Sequence, residues 1–145
     1  MGAARCGTVY VGIQWKMDWE AFIHKAESNL RVAVAALDAG ECDPSVSRAY
    51  FAVFHVEIAA LLCLTDFRPE SWGHDRVQAE FNRRLVNERK LFSGGLRFVH
   101  SDLIGRRHIA DYDERHIGRL VAERCVRKAR QMLDEVAPVL RGGSR

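Results

Sequence analysis

Residues 105–116 read GRRHIADYDERH and crowd arginine, histidine, carboxylates and a tyrosine into one short run. Each type brings its own chemistry. Arginine offers a planar fork of donors that fits phosphate and carboxylate. Histidine titrates near neutrality and can carry protons. Asp111 beside Arg107 stays ionised and could act only as a weak base, and Tyr112, with an ordinary pKa of about 10, is a poor acid unless strongly shifted. At helical spacing Arg107/Asp111 and Asp111/Arg115 are i,i+4 pairs, while His108, Asp111, Tyr112 and Arg115 share a face. Such pairs decorate ordinary solvated helices at about 0.2–0.5 kcal/mol each. The stretch therefore reads either as a solvated face or as the lining of a groove.

Other polar residues compete with it. Arg48 and His55 lie seven apart, nearly two helical turns, on one face with Phe51, Ile58 and Leu62. On the residues alone they read as a satisfied core or interface histidine beside an ion-paired arginine. His74, between Gly73 and Asp75, reads as a loop-to-helix cap. Arg83, Arg84, Arg89 and Lys90 form the densest basic run, either a solvated face or a surface for RNA phosphate or an acidic partner. Cys6, Cys42, Cys63 and Cys125 lie far apart without metal-ligand spacing, so no metal site, no cofactor and reduced thiols are expected, with Cys63 in the core.

These residues need helices to hold them. Trp19, Phe22, Ile23, Ala26, Leu30, Val34 and Leu37 recur at steps of three and four and predict a first helix over 18–39, capped by Asp18 and broken by Gly40. Asp43 as a cap and Pro44 in the first turn predict a second helix running to about Thr65, apolar nearly all round and so central. A third is expected over 74–87. A fourth follows over 96–114 despite Gly105, with Leu96, Val99, Leu103, Ile104 and Ala110 inward. The fifth, over 117–140, has Leu120, Val121, Cys125, Ala129, Met132, Val136 and Leu140 as its stripe, and residues 141–145 are expected to be a disordered tail. Residues 1–16 contain TVYVGIQW, which alternates like a strand but finds no second strand signal. They predict an irregular arm, with Met17 opening the domain. The fold class that follows is all-α, an up-and-down antiparallel bundle of four to five helices.

The chain has 145 residues, 48% apolar and 28% charged, which suits one folded domain and neither a disordered nor a fibrous chain. The net charge of +3 is unevenly spread, for residues 1–75 carry −4 and residues 76–145 carry +7. An arginine-rich second half suits a polyanionic partner. No apolar stretch is read as a membrane span and the N-terminus makes a poor signal peptide, so a cytoplasmic location is expected by elimination.

Three ordered motifs are more specific than these patterns. They are W-x-x-F-x-x-K-A-E-x-x-L at Trp19–Leu30, S-R-A-Y-F-A-V-F-H at Ser47–His55 with Ala60–Leu62 beyond, and R-x-x-A-D-Y at Arg107–Tyr112, with His74 opening the helix between the last two. Together they resemble the HEPN family, in particular its small stand-alone prokaryotic members, over residues 17–140. The resemblance implies a two-fold homodimer that binds a nucleotide, an RNA or a small nucleotidyltransferase, in some cases as one half of a toxin–antitoxin pair. It also implies that Tyr112 could accept a nucleotidyl group from such a partner. Many relatives are metal-independent endoribonucleases that carry an arginine, four to six further residues and a histidine, a spacing that Arg48 and His55 fit. Here positions 112–114 hold Tyr112, Asp113 and Glu114, a departure from that pattern. The candidate binding residues are Arg106, Arg107, Asp111, Tyr112 and Arg115, together with Arg48 and His55. Arg107, His108, Asp111 and Tyr112 are the candidates for catalysis.

Overall fold

The computed structural model describes residues 9–10, 14–15 and 18–142. Helix α1, Trp19–Asp38, starts where the Asp18 carboxylate accepts a hydrogen bond from the Glu20 N–H at 2.9 Å. It stops in a Schellman turn. Gly40, at φ +79°, takes the left-handed position, its N–H reaches Leu37 O and the Glu41 N–H reaches Ala36 O. Ile23, Ala26, Leu30, Ala33 and Leu37 are buried, while Trp19, Phe22 and Val34 only border the core.

Helix α2, Cys42–Leu64, is the centre of the bundle, with fifteen of its residues buried. Its length and composition would suffice to cross a membrane, contrary to the sequence reading, yet 78% of that apolar window is buried inside the bundle. Pro44 sits in the first turn as expected, where a missing N–H costs nothing. Asp43 does not cap this helix. Its carboxylate instead accepts from the Ile117 N–H and from His116 Nδ1, both at 2.8 Å, and so fixes the turn that leads into the last helix.

Helix α3, His74–Glu80, runs on as a π-helical segment, Phe81–Glu88. The stop comes at Lys90, a little beyond the expected residue 87, where Lys90 takes the left-handed conformation at φ 52° while the Leu91 N–H reaches back to Leu85 O. A 3₁₀ turn, Gly94–Phe98, leads into α4, Val99–Tyr112, which ends two residues before the expected Glu114. Helix α5 spans Arg119–Gly142. Residues 141 and 142 thus belong to a helix rather than to a loose tail, and the rest of that predicted tail lies outside the described residues. Leu120, placed inward by its spacing, is 59% exposed because the buried face of α5 runs through Ala122, Cys125, Val126, Ala129 and Met132.

Side-chain contacts give the directions of the helices. On α1 and α2, Ser45 meets Ala33, Arg48 meets Asn29 and His55 meets Asn29, as in an antiparallel pair. Glu57 with His100 and Ser47 with Asp111 set α4 antiparallel to α2. Arg119 with Leu37 and Arg141 with Glu27 set α5 antiparallel to α1. The result is an all-α, up-and-down bundle of α1, α2, α4 and α5, with α3 packed against α2. Ahead of it, β1 (Val9–Tyr10) pairs antiparallel with β2 (Gln14–Trp15), so the strand signal does find a partner, and the rest of the expected arm lies outside the described residues. Met17 lies outside the described residues. Cys125 is buried and Cys63 half-buried at the edge of the core.

Candidate functional site

Arg107 leans from α4 onto α2. Its Nε donates to Asp111 Oδ2 at 2.8 Å, the helical pair expected from the spacing, and Ser47 Oγ on α2 donates to the same oxygen at 3.1 Å. Three aromatic rings surround the guanidinium, with Cζ 5.6 Å from the Tyr50 centroid, 5.1 Å from Phe51 and 5.5 Å from Tyr112. Aromatic faces hold a cation without neutralising it. Among the described residues nothing accepts from either Nη nitrogen.

Arg48 joins this site from the other direction. Its Cζ lies 5.0 Å from the Phe51 centroid, so the two arginines share one ring. Among the described residues Arg48 has no ion pair, contrary to the expectation, and its Nη1 donates at 2.8 Å to the neutral side-chain oxygen of Asn29. The Asn29 amide in turn donates to His55 Nδ1 at 3.2 Å. Burial, with Lys25 and Arg48 nearby, pushes the His55 pKa down to about 4, so the ring is neutral near pH 7. Of the two readings of His55, the satisfied core or interface histidine fits this geometry, with the ring half-buried.

The remaining members of GRRHIADYDERH disperse. His108 is exposed, with its ring 5.3 Å from that of Tyr112, itself 68% exposed. Because α4 ends at Tyr112, Arg115 cannot form the expected pair with Asp111 or share the face of His108. It grips Asp113 instead, through Nε at 3.0 Å and Nη2 at 2.8 Å, and holds that carboxyl well below the usual range. Arg106 lies toward Cys125 of α5, away from the platform. Two arginines of the basic run are held by carboxylates and a third by a carbonyl. Arg83 pairs with Glu80 and Glu88, Arg84 pairs with Glu80 and Asp66, and Arg89 donates to Leu64 O.

One group the spacing missed stands directly behind Arg107. Tyr50, fully buried on α2, hydrogen-bonds through Oη to His74 Nδ1 and, at 3.2 Å, to His100 Nε2. His100 Nδ1 meets Glu57 Oε1 at 2.6 Å, and both side chains are buried to about 1% exposure. His74 is therefore no cap. It opens α3, lies stacked on Phe54 at 4.4 Å and reaches the ring on which Arg107 rests. Its pKa is lowered by burial, then by the positive charge of Arg107 and by His100, against the opposing pull of Asp75. Burial raises the pKa of Glu57, although the hydrogen bond and charge of His100 act in the other direction. One visible signal was Glu57 itself, an acid within the apolar run FHVEIAALL, since such residues are rarely buried without a specific partner.

A family model described as the HEPN domain matches residues 19–139. No curated protein matches the chain.

Proposed function

Because the chain belongs to the HEPN domain family, we propose that it is a nucleotide- or RNA-binding helical protein and that the Arg107 platform receives a phosphate of the ligand. The observation that carries the reading is the state of the Arg107 guanidinium. Three rings and a single carboxylate bond fix it in place, its two Nη nitrogens donate to nothing among the described residues, and a second arginine, held by the neutral Asn29, shares Phe51. Two cations against one carboxylate leave a local positive excess, and a planar fork suits two phosphate oxygens. The exposed ring of Tyr112 offers a face on which a base could stack. Family membership supports the homodimer, the nucleotidyltransferase partner and the toxin–antitoxin role as parts of the same proposal. Binding of a fluorescent oligoribonucleotide to the unmutated protein and to Arg107→Ala tests it. A charge-assisted bidentate contact predicts a loss of about tenfold or more, and equal affinities would refute the site.

A second reading, an endoribonuclease, is favoured by one specific observation. No histidine follows Arg107 at the usual spacing, but the fold brings His74 from α3 to the same aromatic cluster. Cleavage of RNA that is abolished in both Arg107→Ala and His74→Ala would support it, and cleavage surviving in either would oppose it.

A further inference from the structure

We propose that His74, Tyr50, His100 and Glu57 form a proton relay that makes His74 Nε2 an acid–base group at the Arg107 platform. The relay takes its substrate from the phosphate-binding reading, whereas its geometry stands without it. Three consecutive hydrogen bonds link four side chains from three helices, running from half-buried His74 to fully buried Glu57. His74 Nδ1 is committed to Tyr50, and no described residue engages Nε2. This leaves Nε2 as the outer terminus.

The donor and acceptor inventory allows two complete arrangements. With Glu57 ionised, His100 Nδ1–H donates to the carboxylate, Tyr50 O–H donates to His100 Nε2, and His74 Nδ1–H donates to the phenol oxygen, so that Nε2 is bare. With Glu57 neutral every bond reverses. Its O–H donates to His100 Nδ1, His100 Nε2–H donates to Tyr50, Tyr50 O–H donates to His74 Nδ1, and Nε2 carries a proton. The two arrangements differ by one proton, taken up at the surface and stored on the carboxyl without any imidazolium.

The surroundings favour storage at that inner end. Glu57 Oε2 is buried without a hydrogen-bond partner, a costly position for an anion and a milder one for a carbonyl oxygen. The charged groups facing the chain are Arg107 from α4 and Asp75 from α3, and Arg107 disfavours a second cation at His74. Burial likewise raises the Tyr50 pKa far above the ordinary phenol range, so Tyr50 passes protons without ionising.

On an RNA phosphodiester held at Arg107, the 2′-oxygen bonds to phosphorus as the bond to the 5′-oxygen breaks. The 5′-oxygen takes the proton of His74 Nε2, and the 2′-hydroxyl proton passes to solvent. His74 Nδ1 then takes the Tyr50 proton, Tyr50 takes that of His100 Nε2, and His100 Nδ1 takes that of Glu57. A proton from water at His74 Nε2 restores the chain.

Nitrogen-15 spectra of histidine-labelled protein across a pH titration read the tautomers directly. In the unmutated chain His74 and His100 should move from Nε2–H to Nδ1–H at one shared midpoint. In Tyr50→Phe, His100 should keep its transition while His74 no longer follows, and in Glu57→Gln the shared transition should vanish. Separate midpoints in the unmutated chain, or an identical His74 titration in all three proteins, overturn the relay. The unmutated titration decides the matter even if a variant folds poorly. Oligoribonucleotide binding by Arg107→Ala tests the phosphate reading independently of these spectra.

Discussion

Arg48 on α2 and Arg107 on α4 lie against the same ring, Phe51, at 5.0 and 5.1 Å. They are distant in sequence and held by different acceptors, Asn29 and Asp111, yet they meet where α2 and α4 cross. Arg107 is fixed by its neighbours and only half used by them. That combination suits binding better than support of the fold.

Binding should therefore be coupled between the two arginines. Arg48→Ala and Arg107→Ala should each weaken oligoribonucleotide affinity and flatten its dependence on salt by about 0.7 of a logarithmic slope unit for each phosphate left without its arginine. The double variant should depart from additivity, since the cations share a ring and a ligand. Additive effects with an unchanged salt slope would separate Arg48 from the site.

The Tyr50 hydroxyl should contribute to stability as well. Tyr50→Phe keeps the ring but strips His74 and His100 of a shared partner inside the bundle, a loss of about 1–3 kcal/mol. Urea denaturation at neutral pH measures it. A variant as stable as the parent would show that those hydrogen bonds carry no net weight.

Acid should weaken the fold through His55. Its pKa falls from 6.5 to about 4 on folding, so the unfolded chain binds the proton first as pH drops. The stability term is intact above about pH 6.5 and is lost progressively as pH falls toward 4. With the ring partly exposed, solvent screening holds the term to about 1–2 kcal/mol. Thermal melts of the parent and of His55→Gln should differ most in slope near the middle of that window, and parallel curves would contradict the assignment.

Gly105 offers an internal control. It sits within α4 with no atom within 4 Å of an added Cβ, so Gly105→Ala should stabilise the helix by about 0.5–1 kcal/mol. Ligand affinity should not change. A fall in affinity would mean that the backbone of α4 must flex during binding.

Much of the bundle could be read from residue spacing. The stripe from Ile23 to Leu37, the apolar α2 and the Arg107/Asp111 pair follow from local periodicity, and each has the position expected of it. Two of the misassigned residues share one feature, partners remote in sequence. Asp43 resembled a cap for its own helix but serves Ile117, and His74 resembled a cap but serves Tyr50. Arg115 failed for a different reason, because an end of α4 two residues early turned it toward Asp113. Phe51, Tyr50 and Phe54 looked like ordinary core, and only packing shows that they are also the floor beneath Arg107 and His74.

The central claim is that ligand phosphate meets the Arg107 guanidinium. The most direct measurement follows the arginine Nε–H signals in nitrogen-15 spectra, with Arg107 assigned by substitution, as an oligoribonucleotide is added. The Arg107 signal should shift and saturate at the concentration where binding itself saturates, while those of Arg83, Arg84 and Arg89, already engaged by Glu80, Glu88, Asp66 and Leu64, stay near their starting positions. A silent Arg107 with shifts confined to that basic run would contradict the claim.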